Sequence, residues 1–368
     1  MTKEDRERVG IAVEAGQRGL IPPQYRVGKK RLYTILALAA ALIVVAVVAT
    51  TLGSVRIPLA TTFQVFVAHL PFVNVVPSWP SGTETILLDI RLPRVIMAGL
   101  VGAALGVAGA TYQGLFRNPL ADPYLIGVAQ GASLGAVIGF LMPLNWHVLG
   151  VGVVPLFAFI GAVFATAAVY ALARVGKTLP VTTLILAGVA LGALLGSITS
   201  YLVINSGDKL HSIVFWLMGT FSMSRWVDVG LVLPYIVVGV GVILLYARPL
   251  NIMQLDEEQA QHLGINVERL KIILLGAATL ITAAAVSFVG TIGFVGIIIP
   301  HAVRLLWGAD YRFLLPLSVF SGGLFMILAD LIARTAQAPS EIPIGVITAA
   351  VGAPFFLFLL RKRQRAIF

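Results

Sequence analysis

The chain has 368 residues, 58% of them hydrophobic and 11% charged, with a mean hydropathy of +0.96. A soluble domain is about a quarter charged, so this composition excludes an ordinary soluble enzyme and points to an all-α membrane protein with many spans. The net charge of +10 comes from 26 Lys and Arg against 16 Asp and Glu, and in such a chain basic residues report membrane orientation rather than nucleic acid; with no cysteine, disulfides, thiolate metal sites and cysteine nucleophiles are excluded.

Residues 1–31 are polar and mixed in charge, from Lys3 and Glu4 to Lys29, Lys30 and Arg31. No apolar run with a small-residue cleavage site precedes them, so a cleaved signal peptide is not expected, and this segment is placed in the cytoplasm. Apolar stretches long enough to cross a bilayer follow at 32–52, 92–115, 124–142, 151–173, 181–204, 227–247, 268–289, 293–307, 313–333 and 343–360, the eighth short and partly re-entrant. Ten crossings put both ends on one side. Twenty of the 26 Lys and Arg then fall in the cytoplasm, leaving Arg56, Arg91, Arg94, Lys209, Arg225 and Arg334 outside, an asymmetry that supports N-in and C-in. The permease domain runs over 32–362, with a cytoplasmic tail at 363–368.

Small residues recur inside the spans. Gly127, Gly131, Gly135 and Gly139 sit every fourth position in one, and Gly188, Gly192 and Gly196 in another. Such ridges let helix backbones approach, within the chain more readily than across a dimer. Leu100-Val-Gly-Ala-Ala-Leu-Gly106 echoes Leu186-Ala-Gly-Val-Ala-Leu-Gly192, a trace of duplication or the same packing chemistry used twice. Prolines 155, 234, 300, 316 and 354 lie within spans, where each removes a backbone donor. The span at 181–204 is the most polar; its Ser and Thr hydroxyls either bond to their own helix or line a wet passage.

Residues 249–268 form a charged island. Asp256, Glu257 and Glu258 open a short helical pattern, where acidic side chains suit the helix dipole. Leu255, Gln259, Ala260 and Leu263 fall at helical spacing. Gly264 reads as the left-handed stop and Asn266 as the cap of the next helix. The stretch is either a solvated loop or a docking knob for a soluble partner.

The span centres are nearly free of ionisable residues, which a proton-coupled carrier or membrane enzyme would need. There is no His-Glu-x-x-His and no phosphate-binding glycine loop, so energy for transport must come from elsewhere and the knob gains weight as the place where an engine docks. His301 is read as a packing or hydrogen-bonding residue before a haem or metal ligand. Arg91, Arg94 and Arg334 stand at outer span ends, snorkelling or forming a patch for carboxylates, to which arginine is suited by its bidentate geometry.

Six motifs carry a resemblance over residues 30–362: Arg91-Leu-Pro-Arg94, Gln113-Gly-Leu-Phe-Arg-Asn-Pro-Leu-Ala-Asp-Pro123, Leu186-Ala-Gly-Val-Ala-Leu-Gly192, Trp216-Leu-Met-Gly219, Gly293-Phe-Val-Gly-Ile-Ile-Ile-Pro-His301 and Ile342-Pro-Ile-Gly-Val-Ile-Thr-Ala-Ala-Val-Gly-Ala-Pro354. The sequence resembles the FecCD-type permease subunits of bacterial ABC importers for iron–siderophore complexes, haem and vitamin B12. The resemblance implies a type II ABC importer permease fold in the cytoplasmic (inner) membrane, a homodimer with the passage on its axis, two cytoplasmic ATPases that hold ATP-Mg, and one periplasmic or lipid-anchored substrate-binding protein. It implies no enzyme activity, cofactor, metal or nucleic-acid partner for this chain. The 249–268 segment would be the coupling element, with Leu255, Glu257, Ala260, Leu263 and Gly264 at the ATPase. Arg91, Arg94 and Arg334 would dock the binding protein. Asn118 and Leu120 would form one cytoplasmic gate, Val181 and Thr182 another; Val181 departs from the Ser or Thr usual there. The cargo, an iron chelate or else a corrinoid or haem, is not encoded in these motifs. A stand-alone secondary transporter is the competing class.

Overall fold

The computed structural model describes residues 23–53, 55–69, 79–143, 147–148 and 150–364; most of the polar head and the last residues of the tail lie outside the described residues. A helix occupies each of the ten expected spans. In chain order the elements are α1 (Pro23–Thr51), α2 (Leu59–Ala68), α3 (Ser81–Leu115), α4 (Val128–Leu141), α5 (Val153–Ala173), α6 (Val181–Ile204) and α7 (Leu210–Leu217). Then come α8 (Trp226–Leu245), α9 (Ala247–Ile252), α10 (Glu257–His262), α11 (Val267–Val289), α12 (Val295–Trp307), α13 (Tyr311–Thr335) and α14 (Ile344–Gln364). Among the described residues, 7 helices are long and apolar enough to cross a membrane, while α4, α12 and the apolar part of α14 are shorter. A two-residue hairpin, His147–Val148 with Val151–Gly152, joins α4 to α5. The short α2 and α7 were not anticipated from sequence.

α3 starts eleven residues before the expected 92. Pro93 suggests a helix start, because a first-turn proline loses no bond. Instead Thr85–Arg91 forms a π-turn, which widens the ladder just ahead of the proline, so the helix runs on through it. Arg91 and Arg94 therefore sit inside a helix rather than at its mouth.

From Leu92 to Leu115, α3 is buried at 20 of 24 positions. Its glycines explain how. A Cβ on Gly102 would overlap the Gly322 carbonyl of α13, one on Gly106 would meet the Ser318 carbonyl at 2.7 Å, and one on Gly109 would strike Gly296 of α12. The α4–α5 crossing is built alike, with Gly131 against Gly161 and Gly135 against Phe157. The glycine ridge thus packs within the chain. Gly127 is no part of it: with φ +82° it ends the 3-10 turn Pro123–Ile126 and starts α4.

Two segments inside the bundle are irregular, Pro123–Ile126 and the run from Gly290 to Phe294. They satisfy each other. The Tyr124 hydroxyl donates to the Ile292 carbonyl at 3.0 Å and accepts from the Ile292 N–H at 3.0 Å. Non-helical backbone is tolerated at membrane depth where protein meets its polar groups.

At one end of the bundle Asp310 ties three elements together. Its carboxylate caps α13 through the Arg312 N–H, accepts from Asn251 of α9 at 2.8 Å and pairs with Arg31 of α1 at 2.9 Å. Asn251 returns the bond by accepting the Tyr311 N–H. Burial alone would raise the Asp310 carboxyl, but hydrogen bonds from Arg312, Asn251 and Arg31 outweigh it and hold it well below the usual carboxylate range.

Two outcomes follow for the detergent-solubilised chain. Gly102→Leu forces α3 off α13 and lowers the unfolding free energy by about 1–3 kcal/mol or more, whereas Gly241→Ala, which meets nothing within 4 Å, raises it slightly because alanine favours a helix. A Gly102→Leu protein as stable as the parent would refute the close crossing. Asp310→Ala costs about 1–2 kcal/mol at neutral pH through the lost cap and its partners. Because the folded carboxyl is depressed, its contribution is present above the ordinary carboxylate pKa of about 4 and fades below it, so parent and variant should converge in acid.

Candidate functional site

The island at 249–268 is a built knob at the same end as Asp310. Asp256 caps α10 by accepting the Glu257 N–H at 2.8 Å, and Asn266 caps α11 by accepting the Arg269 N–H at 3.0 Å. Between them Gly264, φ +83°, closes α10: the Ile265 N–H reaches the Ala260 carbonyl and the Gly264 N–H reaches that of Gln261, the double bond of a Schellman ending. The underside, Leu250, Met253, Ala260 and Val267, is buried. Ala260 was expected at a partner contact; at 0% exposure it is a base residue of the knob. Leu255 and Leu263 are the exposed apolar pair, 58% and 62% open.

Polar contacts hold the knob to the bundle. The Gln254 amide donates to the Gly114 carbonyl at the end of α3 at 3.0 Å. Arg117 pairs with Asp256 at 2.9 Å and, with the Glu257 N–H, holds that carboxyl below its ordinary value. Glu257 pairs with Lys271 of α11 at 2.8 Å. Lys271 looks from sequence like an ordinary loop cation, yet it is buried.

The four expected gate residues lie at this end too. Asn118 accepts the Leu120 N–H at 3.0 Å, and Leu120 is exposed. Val181 is half-buried and Thr182 exposed, in the first turn of α6. None of the described hydrogen bonds joins the two pairs. From Thr182 one stripe of α6 stays exposed, through Leu186, Ala190 and Ala193 to Ser197 and Tyr201. Ser197, Thr199 and Ser200 each donate to the carbonyl four residues back, so their hydroxyls cost the helix nothing when they face an open space. Beside this stripe lies a recess of about 450 Å³ whose lining mixes Gln130, Ser133, Thr199, Ser200 and Thr291 with Ala129 and Leu217.

The opposite end holds the arginines, and there the expected exposed patch is not what the structure has. Arg91, Arg94 and Arg334 are all buried. Arg91 donates to the Thr50, Thr51 and Val55 carbonyls, and Arg334 to that of Ala49. They thereby satisfy carbonyls that the end of α1 leaves without partners. Arg94 is held by two carboxylates: Asp330 at 2.7 Å, which also faces Arg334 at 3.4 Å, and Glu341 through both oxygens at 2.7 and 3.1 Å. Glu341 accepts further from the Ser222 hydroxyl at 2.7 Å. Three guanidiniums against two carboxylates leave the cluster positive. Sequence reasoning missed Asp330 and Glu341 as partners; Asp330 and Arg334 at i and i+4 were the available signal.

His301 packs against Phe355 and Phe356, ring centroids 6.1 and 6.3 Å away. Among the described residues no group of His, Asp and Glu could hold a metal ion.

Residues 41–362 match the FecCD transport family. The chain is 50% identical to the cobalamin import system permease protein BtuC of Halobacterium salinarum, over 77% of this chain and 76% of that one. It is 41% identical to the hemin transport system permease protein HmuU of Yersinia pestis, over 76% and 84%. A solved inward-facing structure described as a metal-chelate type ABC transporter superposes with a TM-score of 0.77 at 31% identity, covering 90% of this chain and 99% of that one. With buried glycine crossings, apolar spans and a match over most of its length, this chain is a multi-pass membrane protein and belongs to the FecCD transport family of ABC importer permeases.

Proposed function

We propose that the chain is the permease of an importer that carries a metal chelate, a ferric siderophore or a related haem or corrinoid, across the cytoplasmic membrane. The observation that carries this reading is the knob: a rigid, capped segment that presents Leu255 and Leu263 to solvent. Apolar side chains held open on a fixed frame suit a protein partner. In this reading the partner is a cytoplasmic ATPase, one for each copy of a homodimer, and this chain hydrolyses no ATP itself. The exposed stripe of α6 faces the passage on the dimer axis, with Asn118, Leu120, Val181 and Thr182 at its inner mouth. The 50% identity to a cobalamin permease favours a corrinoid as the second reading of the cargo.

A substrate-binding protein meets the opposite end. Arg91, Arg94 and Arg334 are buried, so they act there first by fixing the surface. Their residual positive charge favours an acidic partner through its field.

Three measurements test the scheme. The purified chain shows no ATP hydrolysis; activity that survives removal of every co-purifying ATPase would overturn the assignment. Leu263→Asp places an unpaired charge at the ATPase contact, and Gly264→Val strains a left-handed position. Both proteins insert, because no span is touched, and both lose ATPase co-purification; wild-type assembly of both would show that the engine docks elsewhere. Binding of ferric siderophores, haem and corrinoids to the partner binding protein identifies the cargo.

A further inference from the structure

Lys271 lies at the centre of a junction that the scheme above leaves unused. Its side chain is 4% exposed, and its ammonium has three acceptors for three protons: Glu257 at 2.8 Å, Glu268 at 3.2 Å and the Leu179 carbonyl at 3.2 Å. Glu268 in turn accepts the Leu179 N–H at 2.9 Å. Both backbone polar groups of Leu179 are thus held by one charged pair on α11. Pro180 follows, then Val181 and Thr182 open α6. On the other side Glu257 is the first residue of α10. Among the described residues, no other hydrogen bond or ion pair runs from α10 through a shared side chain to residues 174–182.

We propose that Lys271 is a positioning residue that couples the docking knob to the start of α6. The inference rests on the reading of 249–268 as the ATPase contact. A displacement of α10 moves the Glu257 carboxylate and draws the ammonium with it. The ammonium and Glu268 together hold the Leu179 peptide from both sides, so the first turn of α6 follows. Every proton of the ammonium is committed, so a shift of one acceptor is felt at the other two. Stability alone is a weak account of such an arrangement: the ammonium is buried against two partly exposed carboxylates, and apolar side chains of the same shape often hold a fold as well as a buried charge pair does. What it adds is a directional link between segments 92 residues apart, loaded through charge-assisted bonds, which are the stronger kind.

The chain has no native cysteine, so Thr182→Cys gives a single thiol at the mouth of α6. The full complex of permease, ATPase and binding protein is reconstituted in nanodiscs, and maleimide labelling of that thiol is followed with and without Mg-ATP. The parent shows an ATP-dependent change in labelling rate. Lys271→Met abolishes the change and lowers transport per ATP hydrolysed about tenfold, within the ordinary range of coupling between sites, while the ATPase still co-purifies. Lys271→Arg, which keeps the charge, restores part of both. Should Lys271→Met fold poorly, Glu268→Gln serves in its place: it keeps the shape, removes the charge facing Lys271 and gives the same loss. Parent-like labelling and transport per ATP in Lys271→Met or Glu268→Gln would overturn the proposal, and so would loss of the ATPase from both variants, which would make Lys271 part of the docking surface only. ATPase retained by Leu263→Asp marks failure of the docking reading itself, and the coupling role falls with it.

Discussion

The fold depends on how closely α3 can approach its neighbours. In a bilayer the lipid is as apolar as leucine, so helices gain little from hiding apolar side chains from it and must gain from contact. Gly102, Gly106 and Gly109 of α3 bring its backbone against α13 and α12, which places Arg94 beside Asp330 at one end and Gln113 beside Arg304 at the other. Without those three missing side chains the two helices stand apart and neither polar contact is made. The ionic end and the glycine waist are therefore one structure.

The close waist also makes room for irregular backbone. The Gly290 and Gly219 positions have φ of +78° and +81°, and the segments they turn are bonded across chain: the Thr220 N–H to the Val289 carbonyl, the Ile344 N–H to that of Gly219 and the Gly345 N–H to that of Met218. Every such bond replaces water that a membrane interior does not supply. Both α12 and α14 begin at this junction, and the shortness of α12 follows from it: that helix needs to reach only from the junction to one face.

Much of this was legible in the sequence, for particular reasons. Hydropathy runs located ten helices because lipid demands length and apolarity together. Part of the knob was readable because caps and left-handed glycines are local chemistry: Gly264 and Asn266 end and start helices as expected, while Asp256, read as a first-turn acid, is the cap of α10. Burial of charge was not legible. Arg91, Arg94 and Lys271 look like surface cations because partners that bury them come from distant segments, the end of α1 for Arg91, Asp330 and Glu341 for Arg94 and Leu179 for Lys271. Asp330 before Arg334 and Glu268 before Lys271 were the local signals. Ala260 fell at the helical spacing of a contact face, but spacing does not say which face looks inward. The second span was expected to begin at 92, because the π-turn that lets the helix run from Ser81 leaves no mark in composition.

The distribution of charge follows one physical rule. The ions are matched across segments: Asp310 with Arg31 and Arg312, Asp256 with Arg117, Lys271 with Glu257 and Glu268, Arg94 with Asp330 and Glu341. Arg94, Asp330 and Lys271 are buried, whereas Asp256, Arg117 and Arg312 stay open to solvent. Among the exposed polar residues of the knob, Leu255 and Leu263 are held open as an apolar pair. A surface meant only to be wet would turn those two leucines in. Matched ions around an exposed apolar pair give a contact that is held in place and open to a partner, and rigidity is what a contact needs if it is to pass force rather than absorb it. The same ions that fix the knob to α3, α11 and the segment before α6 are therefore the ones through which a partner's motion reaches the bundle.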